Sequence, residues 1–200
     1  ELVVDSFTTH VESSTALFAQ PQMNSGTSYA GSSFCTGNLS ISRRALESVG
    51  GFDESFRYAG GEDSELGLRL DRQLGIRVLY DATVRCEHDH ELRLRGFLKR
   101  MRVIGWAAYR IEQKHGNTGL VQGQPKDAAG WAAMRELVEQ EETIVSELLE
   151  SAEDACRRER EGGLGALTLE SYRDIYDMIA GYGMRCGILA AHEGGLVNLS

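Results

Sequence analysis

The sequence predicts an α/β domain at the N-terminal end of the chain, followed by an all-α extension. Up to about His115, segments with strand, loop and helix signals alternate, which is typical of a sheet covered by helices. Beyond residue 115 nearly every segment has the periodicity of a helix. We therefore divide the chain into a mixed part, residues 1–115, and a helical extension, residues 116–200.

Short sequence signals predict the elements of the mixed part. Apolar and β-branched runs favour strands, and a stretch rich in Ser, Gly and Asn favours a long loop. In chain order these elements are a strand over residues 2–8, a loop over 20–33, a helix over 43–49, a helix over 62–74 and a strand over 76–84.

Capping residues and apolar spacing support the two predicted helices. Either Ser40 or Ser42 precedes the first helix and offers a hydroxyl to its free amides. The second helix carries Leu66, Leu70 and Leu74 at i, i+4 and i+8. This spacing predicts one buried stripe along the helix.

Three longer helices follow, over residues 91–115, 127–161 and 167–192. The first has too many apolar residues for a surface helix, so we expect it to pack on the core. The second has apolar residues near heptad spacing, which leaves two alternatives open: packing on its own domain, or a homodimer through the helical tail. The near-heptad positions are Val138, Val145, Leu149, Ala152 and Cys156.

The chain is acidic, and its basic residues are concentrated in one segment. It has 21 Lys and Arg against 30 Asp and Glu, a formal net charge of -9 that argues against nucleic acid as a partner. Seven of the basic residues fall within residues 92–114. Their side chains either form a solvated face or offer a positive surface to a diphosphate or to anionic lipid headgroups.

No apolar run approaches the roughly 20 residues that cross a bilayer, and the first residues lack the features of a signal peptide. We expect a cytoplasmic protein that can make peripheral contact with the inner face of the membrane. The four cysteines have no close spacing, so we expect reduced thiols that are mostly buried.

The densest chemical feature is a pair of glycine-rich segments, residues 50–56 and 60–66. In the second segment, Glu62 and Asp63 fall in the first turn of a predicted helix, and Glu65 is expected to crowd them. A carboxylate in this position can act as a general base or can merely cap the helix, and spacing alone favours the cap. Two carboxylates acting as a hydrolase pair are a further alternative.

A second feature is His88-Asp89-His90, which follows the predicted strand over residues 76–84. Residues two apart in an extended chain face the same way, so both imidazoles can reach one metal ion or one diphosphate. Solvent-exposed histidines at the end of a strand are the alternative.

Together the motifs resemble the acceptor-side half of a family 2 glycosyltransferase of the GT-A fold, a Rossmann-like nucleotide-diphospho-sugar transferase sheet with helices. The resemblance covers about residues 33–105. The motifs are Phe-x-Thr-Gly-Asn-Leu-Ser from Phe34, Val-Gly-Gly-Phe-Asp-Glu-x-Phe from Val49, Gly-Gly-Glu-Asp-x-Glu-Leu-Gly-x-Arg-Leu from Gly60, Leu-Gly-Ile-Arg-Val-Leu-Tyr-Asp-Ala from Leu74, His-x-His from His88, and Phe-Leu-Lys-Arg from Phe97.

The resemblance implies transfer of a sugar from a nucleoside-diphosphate sugar to a hydroxyl of a carbohydrate, lipid-linked or protein acceptor, in polysaccharide or glycoconjugate biosynthesis. A carboxylate rather than an amide at position 63 implies an inverting reaction with Asp63 as the general base. By the same resemblance, the other roles are as follows: Glu62 is its catalytic neighbour, Gly60, Gly61 and Trp106 bind the acceptor, Arg100 and His90 bind the donor diphosphate, and His88 lies near a divalent metal, Mn²⁺ or Mg²⁺.

The sequence departs from the family pattern in one respect. It contains no DxD motif, which in such enzymes holds the metal at the end of the nucleotide-binding half. We therefore expect the donor-binding half, with most of the metal ligands, to lie outside these residues, and negligible transferase activity from them alone. The alternative function is a non-catalytic carbohydrate-binding or assembly module that keeps the glycosyltransferase scaffold.

Overall fold

The structure is a computed structural model, and it describes residues 5–13, 23–86, 93–116, 118–121, 123–163 and 169–195. These residues form two compact units. We call residues 23–86 the site unit, and the described residues of 5–13 and 93–195 the helical unit. In chain order the helices are α1 (Ser6–Ser13), α2 (Arg43–Ser48), α3 (Glu62–Leu74), α4 (Leu94–His115), α5 (Ala128–Arg160) and α6 (Leu169–His192), and the strands are β1 (Ser28–Tyr29) and β2 (Val78–Leu79).

The element content agrees with the α/β prediction only in part. The described residues are mostly helical, and their sheet consists of β1 and β2, which pair antiparallel with Ser28 opposite Leu79. A Rossmann-like GT-A sheet is not found in this part of the chain. The all-helical character predicted beyond residue 115 agrees with α5 and α6.

Local hydrogen bonding explains why the predicted strand over residues 76–84 is reduced to β2. Asp81 Oδ1 accepts hydrogen bonds from the backbone amide of Thr83 at 2.9 Å and from its hydroxyl at 2.7 Å. This turn gives the backbone an alternative to strand pairing. The predicted loop over residues 20–33 is wrong at β1, which pairs with β2.

The two helices of the site unit confirm their predicted boundaries. Ser42 caps α2 by accepting a hydrogen bond from the amide of Ala45 at 3.2 Å. Leu66 and Leu70 of α3 are each 1% exposed and pack with Phe34 in the core of the unit. Leu74, expected on the same buried stripe, is 45% exposed at the end of the helix.

In the helical unit, the predicted N-terminal strand is wrong where the structure describes it, because α1 begins at Ser6. Asp5 Oδ1 accepts hydrogen bonds from the amide of Thr8 at 2.7 Å and from its hydroxyl at 2.8 Å. Such a cap stabilises a helix start. Phe7 and Val11, four residues apart, then form a buried face.

Helices α1, α4, α5 and α6 share one apolar core. The ring of Phe7 lies edge-on to Phe97 of α4 and to Tyr176 of α6, with centroid separations of 5.3 and 5.2 Å. Phe97 and Tyr176 are both 0% exposed. The prediction that the helix before His115 packs on the core is confirmed for α4.

The near-heptad positions of α5 face this same core. Val145, Leu149, Ala152 and Cys156 are buried in it, and Val138 is partly buried against it. Packing on the helix's own unit is therefore the observed alternative. A homodimer through the tail stays a prediction, and it would have to use other positions of the helix.

Helices α4 and α6 approach closely because glycines remove side chains between them. A Cβ atom on Gly187 would lie 1.9 Å from the carbonyl oxygen of Arg102, and one on Gly105 would lie 2.2 Å from that of Met184. Both distances are far below van der Waals contact, so any larger residue would force the helices apart.

Because α4 belongs to the helical unit, the chain does not divide into its two compact units near residue 115, where the boundary was expected. The assignment of residues 1–115 to an acceptor-side half and 116–200 to an extension stays a prediction.

All four cysteines are free thiols, and only Cys156 among them is buried, whereas Cys86 is exposed. None of the described helices is both long and apolar enough to cross a membrane.

Candidate functional site

The glycine-rich turn before α3 builds the candidate site. Gly61 has a φ of +88°, a left-handed conformation that disfavours residues with a side chain, and α3 begins at the next residue. Its carbonyl oxygen accepts the first helical hydrogen bond, from the amide of Glu65 at 2.9 Å. Gly60 is buried directly before it. The turn therefore brings Glu62 and Asp63 to the start of the helix.

The carboxylates of Glu62 and Asp63 point to different partners. Glu62 Oε2 accepts a hydrogen bond from the amide of Gly60 at 2.5 Å, which closes the turn. Asp63 Oδ1 accepts from the amide of Ser64 at 2.8 Å, and Oδ2 lies 3.4 Å from the amide nitrogen of Thr36. Both side chains are half-buried. Glu62 thus closes the turn that precedes the helix, whereas Asp63 accepts from an amide of the first helical turn, as the capping alternative expects, and also faces a separate segment of the chain at Thr36.

Contacts along α3 hold that separate segment in place. Asp71 Oδ2 accepts a hydrogen bond from the amide of Gly31 at 2.8 Å, and the hydroxyl of Ser64 donates to the carbonyl oxygen of Ser32 at 3.3 Å. Residues Gly31–Ser33 form a short 3₁₀ turn, and a second one follows at Thr36–Asn38. The position of the Thr36 amide relative to Asp63 is therefore fixed from α3 itself.

Glu65 does not crowd Glu62 and Asp63 as expected, because it points into the interior. Its side chain is 0% exposed, and both carboxylate oxygens accept from Arg69, at 2.8–3.0 Å. Arg69 also donates to the carbonyl oxygens of Val49 at 2.5 Å and Gly51 at 2.7 Å. The sequence analysis assigned no role to Arg69, although a Glu followed four residues later by an Arg is a known signal for a helical ion pair.

A small apolar pocket of about 110 Å³ lies in the site unit, and Asp63 is not among the described residues that line it. Thr36, whose amide faces Asp63, is one of its lining residues. Phe52 lies in the pocket wall and is 45% exposed, so its ring forms part of the rim. The remaining walls are formed by Phe34, Leu39, Ile41, Leu46 and Leu66.

A larger pocket of about 490 Å³ lies in the helical unit and contains none of the predicted site residues. Two of its arginines are paired within the pocket wall: Arg160 lies 3.3 Å from Asp5, and Arg157 lies 2.6 Å from Asp154. Since charges of both signs neutralise each other there, we do not consider this pocket the candidate site.

The other predicted site residues fall in the helical unit or outside the described residues. Trp106 is 5% exposed, and its indole nitrogen donates to the carbonyl oxygen of Gly195 at 3.1 Å. Arg100 is an exposed residue of α4. The second tryptophan, Trp131, also belongs to the helical unit, where it stacks on His192 at a centroid separation of 3.5 Å. The expected roles of Trp106 and Arg100 stay predictions.

His88 and His90 lie outside the described residues, so the structure does not test their predicted roles. Among the described residues, no group of three or more His, Cys, Asp or Glu side chains is arranged to hold a metal ion. The divalent metal that the resemblance implies therefore stays a prediction.

A segment of the chain matches a known family. A family model described as the N-terminal domain of galactosyltransferase matches residues 21–88, which include the turn before α3, both glycine-rich segments and the apolar pocket. Residues 21–88 are thus similar to a glycosyltransferase domain, which agrees with the broader part of the expectation, while membership of family 2 stays a prediction. No curated protein and no solved structure matches the chain.

Proposed function

We propose that the site unit supplies the acceptor side of a glycosyltransferase active site, with Asp63 as the general base. The observation that carries this proposal is the placement of Asp63: a half-buried carboxylate at the start of α3, held by the amide of Ser64 and facing the amide of Thr36. The match of residues 21–88 to a galactosyltransferase domain supports the reaction class.

In the proposed step, the acceptor hydroxyl attacks the anomeric carbon of a nucleoside-diphosphate sugar. A new carbon–oxygen bond forms while the bond to the diphosphate breaks, and the diphosphate leaves with the bonding electron pair. Asp63 accepts the hydroxyl proton, which makes the attacking oxygen a better nucleophile. Direct displacement of this kind inverts the anomeric configuration.

The remaining groups have supporting roles in this proposal. Glu62 holds the turn closed through Gly60, so that the Asp63 carboxylate stays available to the acceptor. From the resemblance, Trp106 contributes to acceptor binding and Arg100 and His90 to binding of the diphosphate. A divalent metal near His88 would neutralise charge on the leaving group.

The proposal is tested by measuring acceptor-dependent release of nucleoside diphosphate by the full-length protein. The donor panel includes a galactose donor, because the matched family model names that sugar. We expect Asp63→Asn to reduce turnover by roughly 10²–10⁴-fold, the usual contribution of a general base. Donor affinity, measured by calorimetry, should remain nearly unchanged, because the amide is isosteric with the carboxylate.

Asp81→Asn is the matched control. Asp81 is also in the site unit, and its carboxylate accepts hydrogen bonds from Thr83 within an exposed turn. This variant should keep wild-type turnover. Wild-type turnover in Asp63→Asn would remove Asp63 from the role of base, and a product of retained configuration, identified by NMR, would exclude direct displacement.

A further inference from the structure

We infer that the apolar pocket of the site unit is an acceptor subsite that takes an apolar group of about three or four carbon atoms attached to the acceptor sugar. This inference rests on the proposed function and adds a substrate class to it: acceptors that carry an alkyl or similar apolar substituent near the reacting sugar.

The position of the pocket is the first argument. Thr36 contributes to the pocket wall, and its backbone nitrogen lies 3.4 Å from Asp63 Oδ2. A molecule that presents a hydroxyl to this carboxylate therefore comes within one residue of the pocket wall. The pocket and the proposed base can contact one acceptor molecule at the same time.

The chemistry of the walls is the second argument. Six of the seven lining residues are Leu, Ile or Phe, and the seventh is Thr36. Among the described residues no charged side chain lines the pocket, so a phosphate or carboxylate placed there would lose its hydration without compensation from them. An apolar group gains free energy from the same burial.

The fixed rim is the third argument. Phe52 is an exposed aromatic residue, yet the chain next to it is held tightly: Arg69 binds the carbonyl oxygen of Gly51 at 2.7 Å, and Asp53 Oδ1 accepts from the amide of Ser55 at 2.9 Å. The ring is thus presented on a rigid loop. Binding to a preformed wall avoids the entropy cost of ordering it.

The volume limits the occupant. About 110 Å³ corresponds to roughly four water-sized groups, at about 30 Å³ each. A helix of a partner protein or a whole sugar ring is too large for this space. A short alkyl group fits it.

The test uses a series of alkyl β-D-glucopyranosides, from methyl through butyl and hexyl to octyl, titrated into the full chain. Amide NMR shifts report the position of binding, and calorimetry reports affinity. We expect the Kd to fall by roughly fourfold for each buried methylene up to about four carbons and then to level off. The amides of Thr36 and Phe52 should shift with the butyl compound.

Phe52→Ala should remove at least half of the affinity gained between the methyl and butyl compounds, because it removes the rim. Ile41→Phe, which fills the pocket instead of opening it, should have the same effect. Leu74→Ala is the matched control, since Leu74 is also 45% exposed and does not line the pocket. Equal Kd values for methyl and butyl glucoside would overturn the inference. So would an affinity that still rises from hexyl to octyl glucoside and is the same in the wild type, Phe52→Ala and Ile41→Phe.

Asp63→Asn separates this inference from the proposed function. The variant should keep the dependence of affinity on alkyl chain length while transfer is lost. If the affinity for alkyl glucosides levels off near butyl but the protein transfers no sugar, the catalytic proposal is overturned and the pocket remains a binding site. Transfer with no dependence on the alkyl group would overturn the pocket and leave the catalytic proposal intact.

Discussion

At the scale of single residues, Arg69 links α3 to the turn that follows α2. Its guanidinium binds the buried Glu65 carboxylate and the carbonyl oxygens of Val49 and Gly51. Arg69→Ala takes the positive charge away from a carboxylate that is 0% exposed. We expect the free energy of unfolding of the site unit to fall by about 3–5 kcal/mol, the usual effect of breaking a buried ion pair. Amide hydrogen exchange along α3 measures it.

Arg43→Ala is the matched control for this prediction. Arg43 also pairs with a Glu four residues away, but the two side chains are 89% and 68% exposed and 3.9 Å apart. Exposed pairs of this kind contribute less than about 1 kcal/mol. A similar loss of protection in both variants would show that Arg69 has no special structural role.

His10 is a second residue with a measurable effect, because it makes the helical unit sensitive to acid. Its side chain is 5% exposed, with Nε2 3.5 Å from Asp177 Oδ1. Burial lowers the pKa of His10, an effect opposed by Asp177 and reinforced by Arg173. The folded state therefore binds fewer protons than the unfolded state at mildly acidic pH.

Because the pKa of His10 is lowered in the folded state, the stabilisation linked to this residue is complete above its ordinary pKa of 6.5. It is lost as the pH falls from 6.5 towards the pKa of the folded state. We expect His10→Gln to lose less stability than the wild type between about pH 7 and pH 5. Urea unfolding at several pH values measures this. A loss of stability in His10→Gln equal to that of the wild type over this pH range would contradict the prediction.

At the scale of elements, the close contact of α4 and α6 predicts an unusual cost for adding one methyl group. In Gly187→Ala the new Cβ would lie 1.9 Å from the carbonyl oxygen of Arg102, an atom that a side-chain rotation cannot move. We expect a loss of about 2–3 kcal/mol in the free energy of unfolding, in the range of overpacked cores. Urea denaturation followed by tryptophan fluorescence measures it.

Gly181→Ala provides the comparison within the same helix. Its Cβ would first meet the end of the Arg185 side chain, at 3.2 Å, which can move aside. Since alanine favours a helix over glycine by about 1 kcal/mol, this variant should be neutral or slightly more stable. If both substitutions destabilise equally, the close approach of the helices is not the cause.

At the scale of the whole molecule, the sequence predicted the helices far better than the sheet. The boundaries of α2, α3 and α5 depend on caps within a few residues, such as Ser42 at the start of α2 and Asp127 at the start of α5. Local signals of this kind can be read without knowing the fold. The strand over residues 76–84 depended on partners far along the chain, and the turn at Asp81 shortened it.

The candidate site was predictable only in part, for the same reason. The glycine-rich turn and the two acids at the start of α3 follow from local sequence. The amide of Thr36 that faces Asp63 comes from 27 residues earlier in the chain, and the contact of Arg69 with Val49 from 20 residues earlier. The pocket likewise gathers residues from three separate segments, so no spacing along the sequence could indicate it.

The placement of the two tryptophans determines what spectroscopy can observe. Trp106 and Trp131 both belong to the helical unit, whereas the aromatic residues of the site unit are all Phe or Tyr. Indole emission therefore reports directly on the packing of the helical unit. A variant with a collapsed site could pass a fluorescence-based folding check, so a reporter such as an indole at position 58, in place of Tyr58, is needed to observe that part of the molecule.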